Sequence, residues 1–147
     1  MELIRVPLFF YAPGNAARVI DTPRGHVDLA PTFLELLGAA PVPTLHGTSL
    51  VSELRGGETP ARDVIADLPE DEYNERRRAL IHERTKLVSF GNDVRFSLYD
   101  LEADPKEAED LYRKRPDLAD EMRRRYKEAS KRITDVAPRG KIPVHDR

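Results

Sequence analysis

The chain has 147 residues, 39% hydrophobic and 34% charged, with 24 Lys plus Arg against 26 Asp plus Glu and a pI near 6.1. A chain of this length can bury roughly 70% of the surface its unfolded form exposes, so one soluble domain with a core of its own is expected. The charges are interspersed and sum to -2, which excludes a field that would gather nucleic acid or an anionic membrane. The absence of cysteine excludes disulfide scaffolds, thiolate metal sites and cysteine nucleophiles.

From Leu3 to Ala12 the chain is nearly continuously apolar and rich in β-branched and aromatic residues, the pattern of a strand covered on both faces. Arg5 and Pro7 interrupt this run, and it is far shorter than the ~20 residues of a spanning helix, so it reads as neither a membrane span nor a signal peptide. A covered strand this close to the first residue implies upstream sequence to flank it. Pro13 and Gly14 end the run. Asp28 to Leu37 then predicts a helix, with Pro31 in its first turn, Asp28 placed to satisfy free N–H groups and Gly38 as its stop. Leu29, Phe33, Leu36 and Leu37 share one face of that helix, which should pack on the first strand. Prolines 41 and 43 with Gly47, Gly56 and Gly57 predict a surface loop, interrupted by one helical turn within Ser49 to Leu54.

Short β-type runs follow at Asp63 to Ala66, Arg78 to His82, Lys86 to Phe90 and Arg95 to Leu101. The last three are separated by short polar pieces, which is hairpin spacing and predicts an antiparallel meander. Gly91 and Asn92 supply the residues that the last of these turns needs. The period then changes to that of helices. Asp104-Pro105 predicts the start of one helix, and Asp117 to Thr134, with Leu118, Met122, Tyr126, Ala129 and Ile133 on one stripe, predicts a second, long and amphipathic one. Its outer face pairs Asp120 with Arg124, Glu121 with Arg125 and Glu128 with Arg132 at four-residue spacing. Residues 137–147, with two prolines and a glycine, read as an extended tail.

The four histidines, His26, His46, His82 and His145, show no metal-pair spacing, so no metal ligand is assigned. His82, at a strand end beside a turn, is the one best placed for a cleft. Asp100, Asp104 and Asp110 flank a strand-to-helix junction, where capping and turn chemistry explains them better than calcium binding or acid-base work. Ser49 and Ser52 have no neighbouring base, and no nucleophile elbow exists in the chain. Of two basic triplets, Arg123 to Arg125 lies on an ion-paired helix face, whereas Arg76 to Arg78 enters a strand and is the candidate lining for an anionic pocket. No catalytic residue is assigned.

Several stretches are familiar in series: Arg-Val-Pro-Leu-Phe-Phe-Tyr-Ala-Pro-Gly from position 5, His-Val-Asp-Leu-Ala-Pro-Thr-Phe-Leu-Glu-Leu-Leu-Gly from 26 and His-Gly-Thr-Ser-Leu from 46. Arg-Ala-Leu-Ile from 78, Thr-Lys-Leu-Val from 85 and Leu-Tyr-Asp-Leu-Glu-Ala-Asp-Pro from 98 follow in order. Together they resemble the C-terminal third of the sulfatases of the alkaline phosphatase superfamily. The resemblance implies a parent sulfuric ester hydrolase that uses a formylglycine, made in a C/S-x-P-x-R motif, and a calcium or magnesium ion. Neither that motif nor the paired-Asp metal motif occurs here, so no catalytic or metal residue carries over, and the piece alone is expected to be inactive.

The fold class implied is α+β: a small antiparallel sheet packed with a long C-terminal helix, plus one strand and one helix of the alkaline-phosphatase-like α/β core. Residues 1–60 would be that last core strand and helix with a connecting loop, 61–136 the antiparallel-sheet subdomain, and 137–147 the tail. Arg78 and His82 are the residues expected at the rim of a pocket for a sulfate ester. No nucleic acid or membrane partner is expected of this segment. Leu8, Phe9, Phe10, Leu36 and Leu37 would form an apolar face open to self-association, a homodimer among the outcomes. Family members are often exported, so the resemblance is compatible with a periplasmic or secreted location. Two other readings stand beside the first. One is a sister hydrolase or transferase acting on phosphonate, phosphodiester or phosphoglycerol groups. The other is a free-standing binding or scaffold module.

Overall fold

The computed structural model describes residues 5–11, 13, 14 and 16–133. Its centre is a four-stranded antiparallel meander, β1 (Asp63–Leu68), β2 (Arg77–His82), β3 (Thr85–Phe90) and β4 (Arg95–Asp100), in that spatial order. Hairpin spacing in the sequence predicts the order of β2, β3 and β4, and the register explains the burial. Ile65, Leu80, Leu87 and Leu98 face one another across the four strands, and the three leucines are fully buried. A helix, called α3 here (Pro116–Ser130), lies on this row through Ala119, Met122 and Tyr126, with Phe96, Leu111, Tyr112, Leu118 and Ala129 packed around them. Its stripe at three- and four-residue spacing therefore does what an amphipathic helix must, burying one face against a sheet.

The two tight turns of the meander, β2–β3 and β3–β4, use left-handed backbone. Glu83 sits at φ 50° in the two-residue β2–β3 turn, while Gly91, Asn92 and Asp93, at 56°, 56° and 71°, bend the chain between β3 and β4. On the opposite face of the sheet Ala79, Ile81 and Val88 are buried, and with them Lys86, whose Nζ bonds the Glu107 carboxylate at 2.7 and 2.9 Å. Burial works against ionisation of Glu107, but the Lys86 ammonium outweighs it and holds that carboxyl below its ordinary range.

Ahead of the sheet, a 3-10 turn (His26–Asp28) leads into α1 (Leu29–Leu36), and a single turn, α2 (Val51–Leu54), follows the loop. Gly38, at φ 69°, ends the first helix as expected. Three expectations need correcting. Asp28 does not cap α1, because its carboxylate instead accepts the backbone N–H groups of Gly25 and Thr48 at 3.1 and 2.8 Å, tying the loop to the helix start. Asp104-Pro105 starts no helix: Glu107 stands at φ 56°, which breaks helical continuation, and Asp104 accepts the Glu109 N–H inside a turn. Residues 5–11 form no strand, since a strand needs a hydrogen-bonding neighbour and the ladders among the described residues all belong to β1–β4. That segment still meets α1 where the helix face predicts, with the Phe10 and Phe33 rings 6.3 Å apart. The extended tail expected over 137–147 lies outside the described residues.

Candidate functional site

The face of the sheet under α3 has three cross-strand rows. The apolar row lies in the middle. On one side of it stand Asp67, Arg78, Ser89 and Phe96, and on the other Asp63, His82, Thr85 and Asp100. Arg78 and His82 thus point to the same face but sit at opposite ends of β2, about 13 Å apart at strand rise. The hydrophobic row lies between them, and the cleft at the Arg78 end does not include His82.

At the Arg78 end a cleft of about 100 Å³ opens where β2, β3, the β3–β4 turn and α3 meet. Arg76, Arg78, Ser89, Asn92, Asp93 and Tyr126 line it. Asp67 supports the lining from β1. Arg76 reaches its two oxygens at 3.3 and 2.8 Å, and Arg78 reaches them at 3.2 and 3.1 Å, so two guanidinium forks share one carboxylate. Burial alone would raise the Asp67 pKa, but the bonds and charges of Arg76 and Arg78 outweigh it and the carboxyl lies below its usual range. The same balance acts on Arg78, where burial is opposed by Asp67 and the guanidinium is held more firmly protonated.

On the other wall, Asp93 accepts hydrogen bonds on one oxygen from both the Ser89 and Tyr126 hydroxyls. This pins the left-handed turn to β3 and α3 together. Burial, then the hydrogen bond to Asp93, pushes the Tyr126 phenol above its ordinary pKa, so it stays a donor at neutral pH.

His82 has a different setting. Its Nδ1 lies 2.8 Å from Asp63 Oδ1, which Arg125 of α3 also approaches at 3.5 Å. His26 and His46 are exposed, and His145 lies outside the described residues. Asp100 and Asp110 do turn work: Asp100 accepts the N–H groups of Glu102 and Ala103, and Asp110 those of Leu98 and Tyr112, holding the segment after β4 against that strand. Among the described residues no group of three or more His, Asp or Glu is arranged to hold an ion. The chain also has no Cys and no Ser-x-Pro-x-Arg. The described residues therefore do not fit a resident metal, and the sequence holds no formylglycine precursor motif.

Sequence reasoning marked Arg76 and Arg78 but missed Asp67, Asp93 and Tyr126 as their companions. Tyr126 reads as core because it sits on the apolar stripe. The connection between β1 and β2 is too long to set their register, so nothing in the sequence places Asp67 opposite Arg78.

An α+β meander crossed by one C-terminal helix is the architecture of a sulfatase-like C-terminal domain. The profile of the N-sulphoglucosamine sulphohydrolase C-terminal family matches residues 1–133, and the chain belongs to that family. An N-acetylglucosamine-6-O-sulfatase of Bacteroides thetaiotaomicron is 30% identical over 126 residues, covering 77% of this chain and 22% of the relative. A protein solved in complex with its substrate D-glucosamine-2-N,6-O-disulfate superposes with a TM-score of 0.65 at 27% identity, over 71% of this chain and 23% of that one. The phosphonate monoester hydrolase of Agrobacterium radiobacter gives 0.52 at 25% identity, over 72% and 25% of the two chains. The chain thus spans about a quarter of the length of the relatives it matches.

Proposed function

We propose that this domain completes the fold of a sulfatase and borders its pocket for a sulfated amino sugar. The family match across residues 1–133 carries this reading. The relative named as a 6-O-sulfatase of N-acetylglucosamine and the neighbour bound to a disulfated glucosamine support the substrate class. Sulfate ester hydrolysis then belongs to a longer polypeptide whose nucleophile and calcium or magnesium lie outside these residues, and the 147 residues alone are inactive. Arg78 and His82 are our candidates for the pocket rim.

The test begins with the intact mass of the endogenous polypeptide captured by an antibody to this segment. A product several hundred residues longer, active on glucosamine 6-sulfate, is expected. A product of about this length would sink the enzyme reading and leave a free-standing binding module. The likeness to a phosphonate monoester hydrolase supports a second reading, in which the parent prefers phosphonate or phosphodiester bonds. Relative kcat/KM on sulfate and phosphonate esters of one phenol separates the two.

The apolar residues ahead of the sheet also bear on assembly. Phe9 is 87% and Leu37 82% exposed, with Leu8, Phe33 and Leu36 about half exposed. We assign this face to contact with further protein and expect the isolated chain to self-associate through it. Sedimentation as a monomer at high concentration would count against that assignment.

A further inference from the structure

We infer that the outer edge of β1 pairs, antiparallel and about a two-fold axis at Ile65, with β1 of a second copy of this chain. The two edges of the sheet differ. The β4 edge is closed by the chain itself, because Leu98 gives its N–H to the Asp110 carboxylate at 3.0 Å and its carbonyl accepts the Leu111 N–H at 2.8 Å. β1 is the other edge, and no segment among the described residues bonds to it from outside.

The register fixes which groups this edge leaves open. Across a two-residue turn His82 and Thr85 must be a hydrogen-bonded pair, so Leu80 and Arg78 also turn their N–H and C=O toward β3. Arg77, Ala79 and Ile81 then bond β1 through Leu68, Ala66 and Val64. Asp63, Ile65 and Asp67 therefore hold their N–H and C=O away from the sheet, and among the described residues none of these backbone groups has a partner.

A second β1 satisfies all of them at once. With Ile65 opposite its own copy, Asp63 stands opposite Asp67 in both directions, and every outward N–H meets an outward C=O. The side chains match on both faces. Val64 meets Ala66 on one, and on the other Ile65, only partly buried where Leu80, Leu87 and Leu98 of its row are fully buried, gains the cover that it lacks. Edges that resist pairing commonly carry a lysine or a proline, and β1 has neither within its span. Asp63 and Asp67 face each other across the axis but are already engaged, Asp67 by Arg76 and Arg78 and Asp63 by Arg125 at 3.5 Å, so no bare like charges meet. The pairing uses none of the residues around Phe9 and Leu37.

Cross-linking of the full 147-residue chain tests this, and the absence of native cysteine keeps single substitutions clean. Ile65→Cys would set two thiols beside the axis, with Cα atoms about 5.5 Å apart, within reach of a disulfide. Mild oxidation should turn that variant into a covalent dimer at least about tenfold faster than Val94→Cys, whose position is exposed next to the β3–β4 turn, because pairing raises the effective thiol concentration. Leu37→Cys reports separately on the apolar face ahead of the sheet, so either surface can fail without the other. The unsubstituted chain guards against a misfolded variant. Its Ile65 and Asp67 amides should exchange about tenfold more slowly at millimolar than at micromolar protein, while Leu80 and Leu87 stay protected at both. Ile65→Lys should abolish that slowing. Equal oxidation of Ile65→Cys and Val94→Cys would overturn self-pairing, and so would exchange at Ile65 and Asp67 that is independent of concentration.

Discussion

Around Glu53 the interior of residues 16–62 is built from ion pairs and shared backbone groups, whereas around Leu80 the interior of residues 63–133 is hydrocarbon. Glu53 is buried, receives Arg24 Nε at 2.9 and 3.2 Å and bonds Arg62, while Arg18 reaches the carbonyls of Glu53 and Gly57 at 3.1 and 2.8 Å. Arg62 Nη1 lies 3.8 Å from Asp28, and the buried Thr32 hydroxyl donates to the Asp28 carbonyl while accepting the Leu50 N–H. The sheet side instead stacks Leu80, Leu87, Leu98, Met122 and Tyr126. A short, loop-rich region cannot bury enough apolar surface to order itself, so directional bonds do that work. A four-stranded sheet with a helix across it can. The two solutions should fail differently. Breaking a polar clasp leaves charges stranded, whereas truncating a leucine leaves a void.

Leu80→Ala should have the largest effect, destabilising the chain by about 3–5 kcal/mol through lost burial plus the cavity left between sheet and helix. Urea unfolding followed by the near-ultraviolet signal of the Tyr126 cluster measures it. Next comes Glu53→Ala, at about 3 kcal/mol, because Arg24 and Arg62 would then be left without their carboxylate in a site largely shut from water. Amide exchange sharpens the comparison. This variant should accelerate exchange at Leu50 and Thr48 while leaving Leu80 and Leu87 protected, and uniform acceleration across the sheet would refute the separation of the two regions.

Asp67→Asn lies between the two types, a carboxylate at the edge of the apolar face, and should cost about 1–3 kcal/mol through the loss of charged hydrogen bonds. Its pH signature is specific. Because its folded pKa is depressed, the stabilisation from Asp67 is complete above the unfolded value near about 4 and is lost as pH falls through the lower folded value. Glu107 behaves the same way. The wild-type chain should therefore lose stability on acidification below about pH 4, and Asp67→Asn should flatten that limb of the curve. Glu121→Ala should be the smallest, at or below about 0.5 kcal/mol, since its 3.1 Å bond to Arg125 is a half-exposed pair one helical turn apart. A larger loss there would mean that the outer face of α3 is not merely solvated.

Local patterns made much of this architecture legible. The β2–β4 part of the meander follows from three β-type runs at hairpin spacing, and α3 from a stripe whose Met122 and Tyr126 are indeed buried. The helix expected at Asp104 was misread because an Asp-Pro pair serves a turn as well as a helix start. Only the carboxylate's partner, here the Glu109 N–H, tells the two apart. Asp28 misleads in the same way. Arg78 was legible as a strand arginine after a basic triplet, but its cleft was not, because Asp67, Asp93 and Tyr126 come from three other parts of the chain.

What the amino-acid sequence determined by itself is periodicity: which residues alternate, which recur at helical spacing, and where glycine, asparagine and proline must turn the backbone. Such choices depend on neighbours a few residues away. Tertiary structure alone decided the register that sets Asp67 beside Arg78, the row of leucines that parts Arg78 from His82, and the shared Asp93 that binds turn to helix. Those pairings join residues far apart in the chain, and side-chain geometry selects them only once the sheet has closed beneath α3.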